Sequence, residues 1–321
     1  MPIIGGILKD GTKVKTEDFF NGICPEPGFP LTFIKEALKT REWDGNPHVT
    51  SLLTGTREQY LKNVSKYYVS LDGMVLAMAG NRFHANMEDD MLLTEIGISL
   101  NGIQGTMDLL EVYPWDETLG VTDYKLVGSY RLIKWFGISK RPIPVTDDFG
   151  NPVFIKTGKN KGQPKTKTEH YVSDEAKERF DYTMQTNIYR VAIERMLADP
   201  DWQKSNPEQS AIFNKKIMRL RIFFAIRDSG INHDFSFNSF YEDCERINNR
   251  EVLNFIADRS KKIIDAMANW NSDIESGETR IDAAAKNCPP MCSAKETWNG
   301  KKCEKYCDVR EACIKMREMS L

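Results

Sequence analysis

Apolar and polar residues alternate along this chain with two distinct periods. Helical spacing shows first at Leu31 to Lys39 (LTFIKEALK) and then at Ser51 to Lys62, after some thirty Gly- and Pro-rich residues that read as an irregular arm. A third helical stretch is predicted from Met74 to Met91: it begins apolar, passes through Gly80-Asn81, and places His84, Met87, Glu88 and Met91 at helical spacings. Three extended patterns follow, Leu93 to Leu100, Ile103 to Val112 and Leu119 to Leu126, rich in Ile, Leu, Val and Thr. Asn101-Gly102 between the first two is a tight-hairpin signal. Helical periodicity returns from Asp174 to Ala198 and stops before Asp199-Pro200. Ile217 to Ile226 alternates as a strand would, and Asn249 to Ile274 reads as a long helix. This order, with no internal repeat, predicts an α/β protein with a central mixed sheet flanked by helices.

The chain has 321 residues, enough for one large domain or two ordinary ones. Three segments are expected: an N-terminal helical arm over 1–70, a core over 71–285, and a Cys-rich tail over 286–321 packed on that core. No apolar run is long enough to cross a bilayer, and the start lacks a secretory pattern, so a cytoplasmic protein without a membrane partner is expected. The 44 Lys and Arg against 46 Asp and Glu leave a net charge of -2, which alone argues against nucleic acid. The distribution changes that picture. From Ala85 to Asp123 there are nine acidic residues and no Lys or Arg. Ile155 to Lys167 holds five lysines and no acid, and Ser210 to Arg227 holds Lys215, Lys216, Arg219, Arg221 and Arg227, also without one. Such runs often form solvated faces; together they also suit a cation site beside an anion-binding surface. The long segment from Pro142 to Tyr171 reads as a loop whose lysines are placed to meet a phosphate backbone.

Two strands carry the chemistry. In Gly105-Thr106-Met107-Asp108 and in Asp123-Tyr124-Lys125 a carboxylate interrupts apolar strand residues, where an unpaired charge costs several kcal/mol. Asp108 and Asp123 can lie side by side, with Lys125 on the face of Asp123 because strand side chains repeat every two residues. Mg²⁺ or Mn²⁺ between the carboxylates would polarise a phosphate oxygen and acidify water, which is equipment for phosphodiester hydrolysis. D-x-K alone fits an exposed ion pair equally well. Further partners flank it: His84 and Glu88 at i, i+4 on the preceding helix, and Gln185 and Tyr189 at i, i+4 on the following one. Of seven cysteines, Cys24 and Cys244 stand apart, while Cys288, Cys292, Cys303, Cys307 and Cys313 crowd the tail. In a reducing compartment clustered thiolates hold zinc or an iron–sulfur cluster.

The order G-x-x-x-H (Gly80, His84), G-x-x-D (Gly105, Asp108), D-x-K (Asp123, Lys125), Q-x-x-x-Y (Gln185, Tyr189) and terminal cysteines resembles the RecB-type branch of the PD-(D/E)XK nucleases. That branch includes the CRISPR-associated adaptation nucleases and many phage exonucleases. The resemblance implies a restriction-endonuclease-like core in which His84, Asp108, Asp123 and the Tyr124 carbonyl hold the metal and Lys125 is the catalytic lysine, with Glu88 a further acid. It implies that Gln185 and Tyr189 contact substrate or brace the site. It also implies a 4Fe-4S cluster, for which Zn²⁺ is the alternative. The spacing C-x3-C-x5-C departs from the family's C-x-x-C-x5-C, and Cys292 offers a local fourth ligand, so Cys292, Cys303, Cys307 and Cys313 are the expected set, with Cys24 or Cys288 as substitutes for Cys292. The implied function is a metal-dependent DNA nuclease of phage or mobile-element type, expected in a bacterial host cell and acting on single strands or duplex ends in recombination, replication or repair. A second copy or a recombination or replication protein would be its partner. The alternative is a non-catalytic nucleic-acid-binding protein that keeps the fold and the cysteine staple.

Overall fold

The computed structural model describes residues 3–24, 26–40, 42–88, 93–213, 215–229 and 237–319. The N-terminal segment is not an irregular helical arm. Strands β1 (Ile3–Ile7) and β2 (Lys13–Lys15) pair antiparallel, and β1 pairs parallel with β3 (Tyr67–Ser70) to give a three-stranded sheet. Helices α1 (Thr16–Phe20) and α2 (Leu31–Ala37) pack on it around Val14, Phe19, Ile34 and Val69. The helix expected over Ser51 to Lys62 is two, α3 (Val49–Leu52) and α4 (Thr56–Val64), broken at Leu53 to Gly55. Both belong to the main core through Leu52, Tyr60 and Leu61.

Helix α5 (Leu71–Ala85) starts at Ser70, whose side chain accepts the Gly73 N–H. It is capped at Asn86 rather than running to Met91; Asp89, Asp90 and Met91 lie outside the described residues. The expected strands follow as β4 (Thr94–Leu100), β5 (Ile103–Tyr113) and β6 (Thr118–Val127). Asn101 and Gly102 both take positive φ, 49° and 77°, the pair of left-handed residues that a type I′ turn requires. This turn fixes Leu100 opposite Ile103 and, six residues back, Thr94 opposite Leu109.

After α6 (Ser129–Phe136), the expected Lys-rich loop is instead a two-stranded ribbon, β7 (Ile138–Pro144) and β8 (Thr166–Val172), whose tip closes through the bridges Thr146–Pro152 and Phe154–Pro164. Its lysines are exposed. Helix α7 (Phe180–Leu197), then α8 (Pro200–Ser205) and α9 (Pro207–Phe213), lead into β9 (Ile217–Ile226), which pairs parallel with β6, and β10 (Ser239–Asp243) closes the edge. The sheet order is β10-β9-β6-β5-β4, one parallel pair among antiparallel ones, so the sheet is mixed. Helix α10 (Asn249–Glu275) packs on α4 and α7, and Val252, Ile256 and Ile263 join Met107, Leu110 and Val121 in one core. Each such fully buried side chain contributes about 1.5–3 kcal/mol. The Cys-rich region after α11 (Arg280–Lys286) carries α12 (Lys301–Lys305) and α13 (Arg310–Met319). Its Cys288, Cys307 and Cys313 pack against the main core. Among the described residues no helix is long and apolar enough to cross a membrane.

Candidate metal centres

Strand register brings the carboxylates together. Leu109 pairs with Thr122, and one step further Asp108 stands across from Asp123. Asp123 and Lys125 point to the α7 side of the sheet, as their β9 partners Ile222 and Phe224 do. Asp123 is fully buried, and neither of its carboxylate oxygens accepts a hydrogen bond. The Lys125 ammonium lies 2.5 Å from its Oδ2, an ion-pair contact without hydrogen-bond geometry, and sits 5.2 Å above the Tyr182 ring. Burial pushes the Asp123 carboxyl up and Asp108 pushes it further, while Lys125 opposes both. For Lys125, burial works against the ammonium but Asp123 and then Asp108 outweigh it, so its pKa is raised.

Asp108 is buried and uses its two oxygens differently. Oδ2 accepts the Tyr124 N–H at 2.6 Å, and Oδ1 lies 3.3 Å from His84 Nδ1 in the last turn of α5. The hydrogen bond to Asp108 raises the His84 pKa. The Tyr124 amide thus ties the strand that carries Asp123 to Asp108. Glu88 does not share a helix face with His84: the helix ends at Ala85, and Glu88 is exposed beyond it. The acid that joins the site is Glu95 on β4. It sits between Thr94 and Ile96, whose partners Leu109 and Met107 flank Asp108, and its φ of 48° is left-handed. Donor atoms of His84, Glu95 and Asp108 lie within 4.8 Å of one another. Burial, then Asp108 and Glu88, raise the Glu95 pKa. The Asn101-Gly102 turn, by its register alone, puts Glu95 opposite Asp108, so the signal for this acid was present in the sequence.

Gln185 and Tyr189, both buried on α7, hydrogen bond to each other, Gln185 Nε2 donating to the Tyr189 hydroxyl at 2.8 Å. Burial and then Asp123 raise the Tyr189 pKa. The donor set of His84, Glu95 and Asp108, an imidazole and two carboxylates, suits a hard divalent cation such as Mg²⁺ or Mn²⁺; Asp123, whose oxygens accept no hydrogen bond, lies beside Asp108 but outside that close group. The basic strand β9 is placed elsewhere. Arg219 and Arg221 are on the opposite face from Lys125, paired with Asp116 and Asp243 and packed over Tyr113.

In the tail, Cys288, Cys292 and Cys313 are electrostatic neighbours, as are Cys303 and Cys307. Cys24 packs with the N-terminal sheet and Cys244, which follows β10 and is not helical, lies between the two inner clusters. Burial pushes the Cys288 thiol up to about 12 and that of Cys307 to about 11. Such thiols stay protonated until a metal displaces the proton. A Cβ on Gly55 would collide with the Cys292 sulfur, so this glycine makes room for it. The five tail thiols are free and half-buried, in two groups, Cys288 with Cys292 and Cys313, and Cys303 with Cys307, a donor chemistry that suits a thiolate-held centre.

No family model matches the chain, and no curated protein matches it. A solved structure described as "Crystal structure of SSO0001" aligns with 12% identity and a TM-score of 0.34 over 87% of this chain and 90% of that chain, a likeness too slight to bear on fold or function.

Proposed function

We propose that this chain is a divalent-metal-dependent deoxyribonuclease with a restriction-endonuclease-like core, braced by a 4Fe-4S cluster. One observation carries the reading: Asp123 is buried with both carboxylate oxygens unsatisfied, beside Asp108 and within reach of one ammonium. Among the described residues Lys125 is the one ammonium facing two adjacent buried carboxylates, and a divalent cation between Asp123 and Asp108 would offset their mutual repulsion and the rest of their burial cost. Mg²⁺ or Mn²⁺ supplies Lewis-acid polarisation of a phosphate oxygen and acidifies water. His84, Glu95 and Asp108 would hold it, with Asp123 beside Asp108 as a further ligand, and the exposure of Glu95 leaves one side open to a phosphodiester. Lys125, pinned by Asp123, orients the attacking water and stabilises the charge that develops on the phosphate. The exposed ribbon lysines Lys156, Lys159, Lys161, Lys165 and Lys167 supply sequence-independent backbone contacts.

The iron–sulfur reading of the cysteine centre rests on the resemblance in the order and number of the tail cysteines, and Zn²⁺ is the alternative.

The test is cleavage of end-labelled single-stranded and duplex DNA with Mg²⁺ or Mn²⁺. Wild type is expected to degrade at least one of them and to stop with chelator, while Asp108→Ala and Lys125→Ala are inactive. If wild type only binds DNA, the chain is a nucleic-acid-binding protein; if the two variants cleave as wild type does, the chemistry lies elsewhere.

A further inference from the structure

Arg57, in the first turn of α4, is 7% exposed, and its guanidinium has no carboxylate partner among the described residues. Its donors go to the cysteine-rich segment instead. Nε donates to Cys313 Sγ at 3.1 Å, Nη1 to the Pro289 carbonyl at 2.8 Å and Nη2 to the Cys313 carbonyl at 3.4 Å. Arginine cannot shed its proton, and burying it without a counter-charge is costly. The thiolate ligands of a metal-loaded centre would supply the missing counter-charge.

The rest of that helical turn is turned toward the same centre. Gly55 yields its Cβ volume to the Cys292 sulfur. Burial raises the Cys292 pKa, and the backbone N–H of Glu58 is the largest influence in the opposite direction. The Glu58 side chain is not free to cancel Arg57, because Lys62, 3.0 Å away, and Lys302 hold it. Residues 55–58 thus present a close-approach glycine, a backbone donor and a guanidinium to Cys292 and Cys313, while the fork of Arg57 ties residues 289 and 313 to α4.

We propose that Arg57 is a positioning residue of the cysteine centre, whose Nε–H···Sγ bond and positive charge stabilise added electron density on the centre and so set its reduction potential. The proposal rests on the 4Fe-4S reading above. Reduction by dithionite adds one electron to the cluster, taking it from the 2+ to the 1+ state; hydrogen bonds to sulfur and nearby positive charge favour the more negative state. Removing them makes the cluster harder to reduce.

The experiment is a dithionite titration of anaerobically purified full-length protein followed by visible absorption and electron paramagnetic resonance, with iron content measured on the same samples. Arg57→Gln is expected to disfavour reduction at least tenfold, a potential about 59 mV more negative for one electron, and Arg57→Lys, which keeps the charge but not the fork, to fall between. An unchanged potential in Arg57→Gln at wild-type iron content overturns the proposal while leaving the cluster reading intact. Where Arg57→Gln retains no iron, Arg57→Lys decides: a lowered potential supports the proposal and a wild-type potential overturns it. Wild type lacking iron–sulfur absorption overturns the cluster reading and the proposal with it.

Discussion

Asp123 and Glu95 occupy opposite ends of one site, the first buried without a hydrogen bond and the second exposed on a left-handed backbone. Their different positions give them different work. Asp123 fixes Lys125, and in the proposed site it would face the cation from the interior while Glu95 would face it from the solvent side. Glu95→Ala is therefore expected to weaken Mn²⁺ binding more than about tenfold, read by titration calorimetry, with little change in thermal stability because the residue is exposed and belongs to no hydrophobic core. A wild-type Mn²⁺ affinity in Glu95→Ala would remove it from the site. Asp108, Asp123 and Lys125 were legible in the sequence because a charge in an apolar strand is conspicuous. Glu95 was not singled out, since it sits in a strand of mixed character and its meaning comes from the partner across the hairpin.

Strand pairing turns these residues into a site. The Asn101-Gly102 turn sets the register that puts Glu95 against Asp108, so Gly102→Val, which forces a β-branched residue to positive φ, should cost about 1–2 kcal/mol in denaturant unfolding and weaken Mn²⁺ binding with it. The central strands were readable because alternation and a turn signal agree. The β7–β8 ribbon was not, because IleSerLysArgPro and ThrLysThrGluHis carry no apolar alternation and their pairing spans a long stretch of intervening chain. The N-terminal sheet was hidden for a related reason: β1 contains Gly5-Gly6 and β2 is three residues long. Helix α5 ends before its apolar periodicity does, which carries Glu88 off the face it was expected to share with His84. The ribbon lysines give a prediction of their own. Lys156→Ala, Lys159→Ala and Lys161→Ala combined should lower DNA affinity and reduce the slope of log affinity against log salt by about one for each phosphate left without its lysine; an unchanged slope would show that the ribbon does not touch DNA.

The near-neutral whole, 44 basic against 46 acidic residues, is a cancellation between acids gathered on strands β4 to β6 and lysines carried out on a ribbon. The arginines of β9 do not add to the exposed charge, because they are spent in ion pairs on the far face of the sheet. The tail is integral to the fold: Cys288, Cys307 and Cys313 pack against the core that holds α4, α7 and α10. Anaerobic extraction of the metal from the proposed cysteine centre should accordingly lower the melting temperature of the whole chain in one transition; a separate, early transition of the tail alone would contradict that coupling. The account rests above all on the claim that Asp108 and Asp123 share a divalent cation. Anomalous scattering from crystals of the Lys125→Ala chain grown with Mn²⁺ and a DNA oligonucleotide tests it most directly. A manganese peak is expected within bonding distance of both Asp108 and Asp123, with His84 or Glu95 completing the protein ligands, whereas a peak that touches Asp108 without Asp123, or manganese bound only elsewhere on the chain, would contradict the account.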